Sequence, residues 1–156
     1  MTGVQTCALP ISANIAGETR PANYEAVPRV VYTDPQAAAV GATEAAYSAT
    51  AQLSEIPKLS TYTHAYAQSN GFLTLLSDGK RLTGAYALGP EAGEWLQQAT
   101  LAIRAHIPVE VLSDTIQPFP SFSSIYAAAL AALRMRIADM PPPIRPMSAQ
   151  VRTMSG

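Results

Sequence analysis

The chain has 156 residues, enough for one domain at the usual size of about 100–200 residues. Its 10 Lys and Arg offset 11 Asp and Glu without forming a basic cluster, which excludes the concentrated cationic surface that displaces phosphate counterions on nucleic acid. One cysteine and two histidines exclude an internal disulphide and a CxxC pair and are too few for most metal sites, and no apolar run reaches the about 20 residues of a membrane-spanning helix. The composition implies a soluble domain of a reducing compartment, and a cytoplasmic location is expected.

In chain order, Met1–Ser12 (MTGVQTCALPIS) lacks the basic start and long apolar stretch of a secretory signal. It resembles the translation of a sequencing-library adapter, and it is set aside from fold reasoning; Cys7 then carries no chemistry and the natural gene is expected to continue upstream. Residues 13–26 are polar, with Gly17 and Pro21 marking a linker or the frayed end of an earlier element. Pro28–Thr33 (PRVVYT) predicts a strand closed by Asp34-Pro35. Gln36–Val40 predicts one helical turn before Gly41, and Thr43 is placed to N-cap a helix over Glu44–Thr50.

Lys58–Thr63 alternates as a strand does. Gly71–Ser77 and Arg81–Leu88 are strand-like runs around Asp78-Gly79, a strong short-range hairpin signal. Glu91–His106 predicts a helix, with Ala92, Trp95, Leu96, Ala99 and Ile103 on one buried stripe. Its acids Glu91 and Glu94 fall at the positive end of the dipole, and Arg104 and His106 at the negative end. Ser123–Ala138 predicts a second helix, buried through Ile125, Tyr126, Ala129, Leu130, Leu133 and Ile137. Three prolines from Pro141 stop it, so residues 141–156 are expected to be a disordered tail. Strands first, a hairpin between and helices late predict an α+β domain with an antiparallel sheet and flanking helices.

Several of these phrases, in this order, resemble one family. Pro28–Glu44 (PRVVYTDPQAAAVGATE) is similar to the first strand of the dimerisation domain of FAD-dependent pyridine nucleotide-disulfide oxidoreductases. Gly71–Ile103 is similar to that domain's hairpin, Gly-Pro turn and Ala-Gly-Glu helix, and Ala13–Glu18 to the last helix of the preceding FAD domain. The phrases TDPQ and PEAGE are most like mercuric reductase and its bacterial relatives. The resemblance implies a dimerisation domain over residues 27–140, a homodimer, and FAD and NAD(P) as cofactors of a longer parent. No cofactor is expected on this fragment, which has no GxGxxG motif and no cysteine after Cys7.

The family's dimerisation domain lends its partner a His-Pro-Thr-x-Ser-Glu loop, in which the Glu-oriented His serves as acid–base for a thiol. The matching residues here are Phe119, Pro120, Ser121, Phe122, Ser123 and Ser124, with Phe119 in place of His and Ser124 in place of Glu. A phenyl ring has no titratable proton, so no catalytic residue is assigned. The resemblance places Phe119, Pro120, Ser121 and Phe122 near the partner subunit's flavin, and Glu94, Trp95 and Tyr126 at the subunit interface. Mercuric reductase also carries a C-terminal cysteine pair, which this tail lacks.

The plainer readings carry the remaining residues. His64 reads as a surface or strand-end histidine, and His106 as a cation at a helix C-terminus. Trp95, Phe119, Phe122 and Tyr126 read as core or interface packing rather than a ligand cage. The alternative from another class is a stand-alone α+β module that binds a small ligand or protein around Phe119.

Overall fold

The computed structural model describes residues 3–56 and 71–139 of the chain. The expected strand Lys58–Thr63, His64 and the Pro-rich tail lie outside the described residues.

The hairpin at Asp78-Gly79 forms the middle of the fold. Strands β4 (Phe72–Ser77) and β5 (Leu82–Gly89) pair antiparallel around it. Through the turn, side chains stand in for ladder bonds. Asp78 Oδ1 accepts the backbone N–H of Lys80 at 2.8 Å and of Arg81 at 3.0 Å. Ser77 Oγ accepts from the Gly79 N–H at 2.9 Å and donates to Arg81 O at 2.8 Å.

Strands β1 (Arg29–Val31), β2 (Gln36–Gly41) and β3 (Tyr47–Gln52) complete an antiparallel sheet in the order β1-β2-β5-β4-β3. Register partners point to the same face. One face therefore gathers Tyr47, Ala49 and Ala51, Leu73 and Leu75, Ala85 and Ala87, and Ala38 and Val40, all buried. The many alanines let helices lie close on that face.

Two predicted helical segments are strands. Gln36–Val40 pairs with β1 on one side and β5 on the other, so ladder bonds override the helix propensity of its alanines. The region given to a helix over Glu44–Thr50 holds β3 instead. Its residues alternate buried and exposed, Tyr47, Ala49 and Ala51 in and Ser48, Thr50 and Gln52 out. That period of two belongs to a half-buried strand, and alanine at the inward positions hides it.

Helix α1 (Gly3–Ile15) covers most of the set-aside leader and runs into the polar segment. It ends with the Glu18 N–H bonded to Ala13 O at 2.9 Å and the Gly17 N–H to Asn14 O at 3.1 Å. This is a Schellman closure, and it puts Gly17 at φ 86, where a side chain is disfavoured. Gly17 therefore closes α1.

The expected helix Glu91–His106 is present in two pieces, α2 (Ala92–Trp95) and α3 (Gln97–Arg104), with its predicted stripe buried. Glu91 is not in the first turn: it precedes it in the left-handed region at φ 53. The break at Leu96 has a cause farther along the chain, at Tyr126. Tyr126 Oη accepts the Ala99 N–H at 3.2 Å and donates to Trp95 O at 3.0 Å. Ala99 and Trp95 are the i and i−4 partners of a helical bond, so the hydroxyl is inserted into the ladder.

A short helix that the sequence did not suggest, α4 (Val109–Asp114), buries Val109 and Leu112. Helix α5 (Ile125–Asp139) follows a 3-10 turn over Phe122–Ser124 and packs across β3 and β4. Of its predicted face, Ile125, Tyr126, Ala129, Leu130 and Leu133 are buried and Ile137 is partly so. Helices α2 and α3 cover β2 and β5, so the core lies between one sheet face and this helical layer. Among the described residues no helix is long and apolar enough to cross a membrane.

Candidate functional site

The segment from Asp114 to Ser124 joins α4 to α5, and its centre is the Pro118–Ser124 loop. The Phe119-Pro120 peptide bond is cis. The loop closes on one carbonyl: Ser121 Oγ donates to Pro118 O, and Ser124 Oγ donates to the same oxygen at 3.0 Å. Ser124 Oγ also accepts the Ser121 N–H at 3.2 Å, and the Ser124 N–H returns to Ser121 O at 3.1 Å. Both hydroxyl protons are therefore spent on holding the loop's shape.

Two large apolar side chains of the segment stand in solvent, beside the exposed Asp114 and Thr115. Phe119 is 71% exposed and Ile116, three residues earlier, is 94% exposed. A groove of about 480 Å³ runs beside them, lined among others by Ile56, Thr115, Ala127 and Ala128. No group of three or more His, Cys, Asp and Glu placed to hold a metal occurs among the described residues. The loop can make contact, and Phe119 brings no acid–base group to it.

The other expected site residues separate. Phe122 is buried under the loop. Trp95 and Tyr126, expected at a subunit interface, are 5% and 1% exposed and lie inside the protomer. Trp95 Nε1 donates to Pro90 O at 2.8 Å, and Tyr126 bridges the α2–α3 break. Their polar atoms need partners in the interior, and their own chain supplies them. Burial also pushes the Tyr126 hydroxyl well above the ordinary phenol range, against the opposing donation from Ala99. Of the three, Glu94 alone is at the surface. The aromatic cage is thus dispersed: Phe119 lines the groove, and Trp95, Phe122 and Tyr126 do not. The exposure of Ile116 had no signal in the sequence, because it depends on where α4 ends and the loop turns.

The match to known proteins covers this sheet, these helices and part of the loop's following helix. The model of the pyridine nucleotide-disulphide oxidoreductase dimerisation domain matches residues 27–130. The chain belongs to this family. Dihydrolipoyl dehydrogenase of Chlamydia trachomatis is 31% identical over 140 residues, covering 83% of this chain and 29% of that protein. Mercuric reductase of Shigella flexneri is 37% identical over 129 residues, covering 76% of this chain and 22% of that protein. The chain thus spans less than a third of the length of these relatives. In fold it is similar to the HOCl-induced flavoprotein disulfide reductase RclA of Escherichia coli, with a TM-score of 0.61 at 20% identity over 78% of this chain and 30% of that one. LpdA from Mycobacterium tuberculosis has a TM-score of 0.56 at 22% identity, over 78% of this chain and 28% of that one.

The family's name invokes a pyridine nucleotide and a disulphide, and the residues of this dimerisation domain fit neither. The sequence has no glycine-rich phosphate loop, and its one cysteine, Cys7, leaves no pair to oxidise. At the loop, Phe119 has no acid–base group, and Ser124 is bound to the loop's own backbone. No electron-transfer or proton-transfer step is therefore assigned to this chain.

Proposed function

We propose that this dimerisation domain joins two copies of a longer oxidoreductase that binds FAD and NAD(P) on its other domains and works in the cytoplasm. In this reading the fragment has no catalytic activity of its own. The loop around Phe119 and Pro120 reaches the partner subunit near its flavin and closes that site with an apolar surface. The observation that carries the reading is the exposed pair Phe119 and Ile116 on a segment whose Ser121 and Ser124 hydroxyls are bonded to the Pro118 carbonyl. Apolar side chains held out by a fixed loop mark a contact surface. Glu94, exposed on α2, belongs to the same assembly surface in this reading, whereas Trp95 and Tyr126 act behind it.

The test is Phe119→Asp. Because the ring is largely in solvent, the substitution should leave the thermal midpoint of the monomer unchanged within about 0.5 kcal/mol of stability. It should weaken self-association by roughly tenfold or more, as loss of a central aromatic contact does. Sedimentation equilibrium of the two chains reads this directly, and equal dimer constants would reject the loop as a contact. NAD(P)H oxidation by the isolated chain would reject its catalytic silence.

A further inference from the structure

A second concavity lies away from the Phe119 loop, where the segment before β1 passes the ends of β2 and β5. It encloses about 370 Å³, with Val27, Leu82 and Ile103 as its apolar wall. Arg29, Arg81, His106, Glu25, Tyr24 and Thr83 add polar side chains to the lining, so two guanidinium groups and an imidazole meet one carboxylate.

The commitments of these groups are uneven. Glu25 Oε1 lies 3.5 Å from His106 Nδ1. Arg81 is held through Nε, 3.4 Å from Asp78 Oδ2 in the hairpin turn. Arg29 makes no ion pair among the described residues. Thr83 Oγ1, on the same wall, is shut off from solvent and has no hydrogen-bond partner among the described residues. A buried hydroxyl left without a partner is unfavourable.

We propose that this cleft binds a small organic anion, an apolar body carrying one carboxylate or phosphate. The apolar body rests on Val27, Leu82 and Ile103. The anionic end lies between Arg29 and Arg81, where charge-assisted donors are strongest. The chain already seats one carboxylate here, that of Glu25 beside His106, and Arg29 is left without an ion pair among the described residues. Clefts of this size with few convergent polar groups are the usual form of small-molecule sites. The inference does not rest on the dimer reading, since no lining residue belongs to the Phe119 loop.

The test uses the 156-residue chain with benzoate, phenyl phosphate and neutral benzamide, followed by amide chemical shifts. Saturable shifts at Arg29, Thr83 and His106 are expected with at least one anion and not with benzamide; the two anion arms identify the preferred head group. Arg29→Gln should weaken binding by roughly tenfold, and Arg29→Lys should retain most of it. Equal binding of benzamide would overturn the proposal. So would an affinity unchanged in Arg29→Gln, or no saturation at millimolar concentrations.

Discussion

The phenol of Tyr126 holds two polar groups of the α2–α3 break that would otherwise bond to each other. Tyr126→Phe therefore has two possible ends: a buried N–H and C=O left open, or a helix that closes its own bond. Packing of Trp95 and Leu96 on the sheet opposes the second, so we expect a loss of about 1–3 kcal/mol in urea denaturation. The same residue sets an alkaline limit. Its folded-state pKa is raised above the ordinary 10.0, so its contribution is complete below pH 10 and is lost as pH rises beyond. Wild-type stability should fall above pH 10 more steeply than that of Tyr126→Phe. Periodicity in the sequence did place Trp95 and Tyr126 on apolar faces. It could not say whether their own chain or a partner covers those faces, because the pattern records only that water is excluded.

Among the elements, the hairpin was the most legible, since its signal is local. Asp78 both starts the turn and bonds the Lys80 and Arg81 N–H groups, so four adjacent residues contain the instruction. Burial pushes the Asp78 carboxyl up, but the Arg81 and Lys80 N–H groups and the Arg81 charge outweigh it and hold the pKa below 3.8. Such a carboxylate contributes fully above its ordinary pKa and loses that contribution as pH falls through the lowered one. Asp78→Ala should cost about 0.5–1.5 kcal/mol at pH 7, with a smaller difference from wild type near pH 2. The side chain is close to half exposed, and solvent screening keeps the value modest. Strands β2 and β3 were misread because alanine is the best helix former, and only pairing with β5 and β4 decides otherwise. Helix α4 escaped notice because its six residues span under two turns, too few for a period to show. The Arg29–His106 cleft was not legible at all, since its walls come from segments as far apart as residues 24 and 106.

At the scale of the molecule, residues 27–130 form a dimerisation domain that spans under a third of its relatives, and its stability is expected to depend on assembly. Folding linked to association makes the melting temperature rise with concentration. A tenfold concentration series should raise it by a few degrees, and the rise should vanish in Phe119→Asp. Such an assembly has to avoid uncontrolled ones, and here the shortest strand matters. Strand β1 lies at an open edge of the sheet, is three residues long, and has Pro28 immediately before it. A proline offers no N–H to a neighbouring strand, and Arg29 sets a charge beside it, so a stray chain finds too short a template to extend the sheet. The growth of fibrils from that edge is thereby discouraged, which leaves side-chain contacts, rather than backbone pairing at β1, to select the partner.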